Sequence, residues 1–321
     1  MKQSKSLLLA IALVLTANFA HAAKEEGAPQ ADCEGLKVAT GKIGKGYSKL
    51  YADLKKLPGA PRLCEVETEG GLDNLTTLST KGADVGIVQV DTLKAMSAGD
   101  ENIAKLQVVA TLNSNFLHIV TSATGVTYAG KDKYFGLSKE AGKTVRIDKF
   151  SQLKGQPIAA VGSAQLLIRQ LDRQLGYQLR ITDVATDAEA FKMVQQGKVL
   201  AAVTVAGWPH GAIKGLKQDS NLTLVPFDAP ANGPYSVRPF SYKNLGVYNV
   251  QGLSVQNVLV ARPFAGGSKI AEVAALRNHI AVNLDELKDG AYEPGWNEIK
   301  SLDTNVDWAR FKGGATVTAK K

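Results

Sequence analysis

Three glycine-rich turns, each running into a helix-like periodicity, hold the residues with the most evident chemistry in this 321-residue chain. They are Thr40-Gly41-Lys42-Ile43-Gly44-Lys45-Gly46-Tyr47, Glu69-Gly70-Gly71-Leu72-Asp73-Asn74 and Gly162-Ser163-Ala164-Gln165. A helix that starts after such a turn presents unpaired backbone amides and the positive end of its dipole, which suits a carboxylate or phosphate. The candidate ligand-binding set is therefore Lys42, Gly44, Lys45, Tyr47, Gly71, Leu72, Asn74, Gln89, Ser163, Ala164, Gln165, Gly207 and Trp208. Lys42 and Lys45 supply charge, Asn74, Gln89 and Gln165 uncharged hydrogen bonds, and Tyr47 or Trp208 an apolar face. The competing reading is conformational: glycines cap helices, Asn74 caps its own helix, and loop lysines are solvated.

Covalent chemistry finds little support. Gly41 to Gly46 reads G-x-x-G-x-G, unlike the G-x-G-x-x-G of dinucleotide binding, and lacks the GK[ST] ending of an NTPase phosphate loop. Neither a G-x-S-x-G elbow nor an H-E-x-x-H pair occurs, and Ser151-Gln152-Leu153-Lys154 matches S-x-x-K with no K-T-G downstream. His118, His210 and His279 are scattered, with no His or Cys spacing suited to a metal. The expectation is no catalytic residue, no metal and no cofactor.

The elements that must position the turns follow an α/β pattern. Leu36 to Thr40 reads as a strand. A helix from about Tyr47 carries Leu50, Tyr51, Leu54 and Leu57 on one face until Pro58-Gly59. Arg62–Thr68 is a second strand, Asp73–Lys81 a helix stopped by Gly82, and Asp84–Val90 a third strand, so that the first two strands lie parallel. Gln107–Leu112 and Phe116–Thr121 read as two strands, and residues 122–156 as loop. A second such unit follows: strand Pro157–Val161, a helix capped by the Ser163 hydroxyl and ended by Gly176, strand Arg180–Val184, helix Asp187–Gln196 and strand Val199–Val205. Leu222–Pro226 is a strand, residues 228–250 a loop, Ser254–Ala261 a returning strand and residues 268–283 a helix. Two α/β units joined by crossing strands enclose a cleft, where small ligands bind.

Lys2 and Lys5, the apolar run Leu7–Ala17 and Ala20-His21-Ala22 form an export signal with cleavage after Ala22. Its removal takes away two lysines and no acid, leaving 299 residues and a formal charge of +6. Lysines and arginines are dispersed and not interleaved with aromatics, which argues against nucleic acid. In an oxidising compartment the only two cysteines, Cys33 and Cys64, are expected to pair, the alternative being two buried thiols. A loop of about 30 residues closed this way stabilises by roughly 3–4 kcal/mol.

Order and spacing of several segments resemble the TAXI-type substrate-binding proteins of TRAP transporters. They are residues 40–47, Glu67–Leu75, Gly82–Asp91, Leu117-His118-Ile119-Val120, Leu153–Ser163 and Val205-Ala206-Gly207-Trp208-Pro209, and the resemblance spans about residues 35–262. Two departures fall on the pocket: Lys42, Ile43 and Lys45 stand where that family carries small residues, and the turn after Val161 is short. The resemblance implies a two-lobed α/β fold, the periplasmic binding protein type 2 fold, with hinge strands and an inter-lobe cleft. The implied segments are 1–22 signal peptide, 23–34 N-terminal lead, 35–120 first part of lobe 1, 121–250 lobe 2, and 251–321 return to lobe 1 and C-terminal segment. It implies a monomeric periplasmic receptor that closes on a small anion, an organic acid or acidic amino acid, and delivers it to membrane permease subunits. The alternatives are an ABC-type binding protein, a receptor that presents its ligand to a membrane sensor, and an orphan hydrolase.

Overall fold

The computed structural model describes residues 33–127 and 144–313, so the expected signal peptide lies outside the described residues. Apart from Cys33, everything below belongs to one compact unit, residues 34–321. Cys33 and Cys64 are disulfide-bonded.

The first half of this unit alternates β1 (Leu36–Gly41), α1 (Gly46–Lys56), β2 (Leu63–Glu67), α2 (Gly71–Ser79), β3 (Val85–Gln89), α3 (Val90–Ser97) and α4 (Glu101–Ala104). β1 lies between β2 and β3, parallel to both, with Leu36 opposite Leu63 and Val38 opposite Val85. Both faces of these strands are covered. Leu36 and Val38 join a core with Leu50, Tyr51 and Leu54 of α1, while Ala39 on the opposite face packs with Leu75 and Leu78 of α2. That explains the near-continuous apolar runs of the strands.

The chain then crosses on β4 (Gln107–Ser122), and β5 (Val126–Thr127) and β6 (Thr144–Val145) pair antiparallel. The second half follows with β7 (Pro157–Val161), α5 (Ala164–Leu175), β8 (Arg180–Val184), α6 (Asp187–Gln195), β9 (Ala201–Gly207), α7 (Gly211–Lys214), β10 (Leu222–Leu224) and β11 (Tyr235–Tyr242). β12 (Val247–Ala261) crosses back, and α8 (Gly267–Val282), α9 (Leu284–Asp289) and a 3-10 turn at Pro294–Glu298 complete the chain's described part. Strands run in the order β2-β1-β3-β12-β4-β9-β7-β8, with β10 on β4 and β11 on β12. β7 is parallel to β8 and β9, and the second half has its own cores on the two sheet faces, Ile158 and Ala160 on one and Ala159 on the other. The protein is thus a two-lobed α/β fold.

Three sequence expectations are corrected. The two strands at residues 107–112 and 116–121 are one 16-residue strand. Asn113, Ser114 and Asn115, which break its apolar run, are all buried and satisfied by partners on neighbouring elements, so no turn is needed to bring them to water. The loop expected at residues 228–250 contains β11 and the start of β12, antiparallel with Tyr235 opposite Val255 and Phe240 opposite Val250. β11 pairs along only one edge, so Pro239 in it removes no ladder bond from a neighbour. Ser163 occupies the N-cap position of α5 but its hydroxyl caps nothing, because its backbone is already right-handed helical at φ −64° and ψ −17°. An N-cap side chain reaches back over the first turn only from an extended backbone.

Candidate functional site

The three turns meet the crossing strands at different places. Gly41 (φ +86°) and Gly70 (φ +130°) let the first two turns approach, since a Cβ on Gly41 would stand 3.3 Å from Gly70 Cα. α2 starts at Gly71 without a side-chain cap. The turn's own amides are spent, Glu69 N on Asp73 Oδ2 and Gly70 N on Thr68 Oγ1, whereas the first-turn amides of α2, from Gly71 and Leu72 onward, have no intrahelical partner.

Beside that uncapped end stand Tyr47 and Gln89. A Cβ on Gly71 would lie 3.9 Å from both Gln89 Oε1 and Tyr47 Cε2. Gln89, the last residue of β3, is 1% exposed, and among the described residues its Nε2 has no acceptor. The Tyr47 hydroxyl donates to Asn257 Oδ1 at 2.9 Å and accepts from Asn115 Nδ2 at 3.0 Å. Asn257 Nδ2 in turn donates to Asn115 Oδ1 at 2.9 Å and Asn113 Oδ1 at 3.1 Å. Burial pushes the Tyr47 phenol well above its ordinary range, so it stays a neutral donor. This polar plate sits where β3, β12 and β4 run side by side, Asn257 being opposite Gln89. Gly207, at the end of β9 and opposite Asn115, borders it: a Cβ there would come within 3.3 Å of Asn113 Nδ2.

Tyr47, Gly71, Leu72, Gln89 and Gly207 are therefore grouped, and other candidates stand elsewhere. Lys42 pairs with Glu69 at 2.7 Å on the surface, both side chains more than half exposed, and this hydrogen bond raises its hold on its proton. Gly44 N donates to Ser48 Oγ at 3.2 Å. Asn74 is fully buried: its Nδ2 donates to Ile87 O at 2.7 Å and its Oδ1 accepts from Thr68 Oγ1, fastening α2 to β3. Ala164 is buried, and Gln165 Nε2 reaches Ala160 O and Val184 O at 3.4 Å, holding Ser163, Ala164 and Gln165 within the second half. Trp208 donates from Nε1 to Ser241 O at 3.0 Å and is 38% exposed.

Lys45 points to a further cluster, absent from the sequence expectations. Burial alone would raise the Asp187 carboxyl, but the neighbouring His210 and Thr204, with Lys45 adding its charge, bring it below its usual range. Asp187 stands at the start of α6 in the second half, and Lys45, which adds its charge there, stands just before α1 in the first. His210 Nε2 is 3.2 Å from Asp187 Oδ2, an ion-pair distance without hydrogen-bond alignment. His118, fully buried, bonds the Tyr242 hydroxyl at 2.9 Å, and burial followed by the His210 charge drops it to about 3. Among the described residues no three His, Cys, Asp or Glu side chains converge as a metal site.

The plate asparagines were missed because each sits inside an apolar strand where Asn reads as a blemish. The detectable signal is the pair of polar interruptions, Asn113-Ser114-Asn115 and Ser254 with Gln256-Asn257, in the two segments that cross between halves.

A comparison with curated proteins gives no match. Among solved structures, the chain is similar to the substrate-binding protein of an amino acid ABC transporter (14% identity, 79% of this chain and 98% of that one, TM-score 0.45). It is also similar to the alkanesulfonate-binding protein SsuA from Xanthomonas axonopodis pv. citri bound to MOPS (19%, 78% and 74%, 0.43). A third is the GluR0 ligand-binding core in complex with L-glutamate (12%, 80% and 95%, 0.47). The signature of the NMT1-like family matches residues 38–233, more than half of the sequence, and the chain belongs to that family.

Proposed function

We propose that this NMT1-like chain is an exported, periplasmic solute-binding protein that captures a small carboxylate-bearing solute between its two lobes by closure, without covalent chemistry. The observation that carries this reading is Gln89: a buried amide donor with no acceptor among the described residues, next to the uncapped start of α2 and the Tyr47–Asn257–Asn115 plate. An unmade buried hydrogen bond costs about 1–3 kcal/mol, so a donor left so is explained when an acceptor arrives from outside. The donors left open beside it are the first-turn amides of α2 and the Gln89 amide, the Tyr47 proton being already given to Asn257 Oδ1. Such a set suits a carboxylate, which only accepts. Lobe 1 would comprise residues 35–120 and the return after residue 251, and lobe 2 residues 121–250, hinged on β4 and β12. Lys45 and the Asp187–His210 pair would face each other across the cleft as it closes. Delivery to a TRAP-type permease rests on the TAXI-type resemblance of residues 35–262.

The test is thermal-shift screening of the purified chain after dialysis out of denaturant, which strips a co-purified ligand. Dicarboxylates, 2-oxo acids and acidic amino acids are expected to raise the melting temperature without turnover. A panel in which only sugars or neutral amino acids shift it refutes the carboxylate assignment.

A further inference from the structure

We propose that the crevice between α3 and α5 is a second ligand site, one that takes a small polyanion such as a di- or tricarboxylate and thereby ties the two lobes together. It goes beyond the Gln89 site and shares no residue with it. Its volume is about 460 Å³, within the range of about 300–1,000 Å³ usual for small-molecule pockets. One wall is α3 of the first half, with Asp91 and Lys94. The other is α5 and the start of β11 in the second half, with Gln170, Arg173, Gln174 and Tyr235.

The floor of the crevice is a hydrogen-bonded join between the halves. The Tyr235 hydroxyl lies 3.1 Å from Asp91 Oδ2 and 3.0 Å from Gln170 Oε1. Asp91 Oδ1 accepts from Thr92 N at 2.7 Å. The one acid of the crevice is thus buried, 5% exposed, with both oxygens engaged. Burial also shifts it toward the neutral carboxyl. The rim is cationic from both sides. Arg173 has no hydrogen bond or ion pair among the described residues, and the partner of Lys94 is Asp307, 93% exposed, a pairing that solvent weakens.

Two like charges contributed by opposite halves to one crevice repel each other. An anion set between them reverses that sign. With Gln170 Oε1 taken by Tyr235, its amide nitrogen and the side chain of Gln174 remain as neutral donors for further oxygens. Because both halves wall the crevice, an occupant bound there favours the arrangement in which the walls are together by its differential affinity for that state.

Citrate is the probe, titrated calorimetrically into the purified full chain at low and at physiological salt, with Arg173→Gln, Lys94→Gln and Gln89→Met as variants. Saturable, salt-sensitive binding is expected, with Kd raised at least about tenfold in each of the two rim variants. No saturable heat, or unchanged affinity in both rim variants, overturns the proposal. A loss confined to Gln89→Met also overturns it and assigns citrate to the Gln89 site instead. Lys94 and Arg173 lie at the surface of their helices, and the melting temperature of each variant without citrate verifies that it is folded.

Discussion

Replacing Gln89 with Met separates a ligand-facing amide from a structural one. Met has a similar length and no donor, and fills the same place at the end of β3. Among the described residues Gln89 Nε2 is buried with no acceptor, a situation that costs about 1–3 kcal/mol. The variant is therefore expected to be as stable as wild type or more stable by up to about 2 kcal/mol, at roughly 2–4 °C of melting temperature per kcal/mol for a larger domain. Its affinity for a carboxylate ligand should move the opposite way. Hydrogen bonds to charged groups contribute about 1.5–3 kcal/mol, and at about 1.4 kcal/mol per decade their loss raises Kd about tenfold to a hundredfold. Scanning fluorimetry without ligand, followed by calorimetric titration with the acid that gives the largest shift, reads both quantities. A lower melting temperature with unchanged affinity refutes the reasoning, because Gln89 would then be holding the fold and not the ligand.

Other residues carry sharp expectations. His118 is held neutral at about 3 in the folded state against about 6.5 unfolded, so the unfolded chain binds the extra proton between those values. Stability should fall as pH drops below about 6.5, by up to about 1.4 kcal/mol per unit, and His118→Gln should flatten that slope in urea titrations; an unchanged slope assigns the acid sensitivity elsewhere. Asp53, 3% exposed, accepts from Glu293 N at 2.7 Å and Trp296 Nε1 at 3.1 Å. Asp53→Ala strands both donors and should cost about 2–4 kcal/mol, seen as a lower urea midpoint at constant slope. Arg238 donates to Ser114 Oγ at 3.0 Å and Glu298 Oε2 at 3.1 Å, and burial raises the Glu298 carboxyl despite this partner. Arg238→Met should cost about 1–3 kcal/mol, the Arg being partly exposed. A carboxyl with a raised folded pKa stabilises fully below its unfolded value and loses that stability as pH rises, so the penalty should be larger at pH 8 than at pH 4.5; equal penalties would show that Arg238 does not neutralise Glu298.

The helices of both halves were legible because local pattern and tertiary placement agree. Leu50, Tyr51 and Leu54 recur at helical spacing and do face one core, and Gly176 ends α5 in the left-handed conformation that its place implies. Where burial was achieved by hydrogen bonding instead of apolarity, pattern misled. Asn113 and Asn115 satisfy one another's neighbours inside a sheet, so polarity there marks a site and not a strand end. β11 was hidden for a related reason: Pro239, Arg238 and two serines dilute its alternation, and only the edge position makes them tolerable. Of the candidate site, glycine turns located the right end of the first half. Which donor remained unspent depended on partners such as Thr68, Ser48 and Glu69, whose reach is set by the folded backbone.

β12 fills the slot between β3 and β4, with Ala261 opposite both Val85 and Gln107. The half that emerges first during synthesis is consequently the last to be completed: β3 keeps an open edge until about 170 residues later, when the other half has already been made. The pairing that completes the first half's sheet is thus one of large sequence separation, the return of a single strand, and contacts of that kind close late because the loop between them must be closed first.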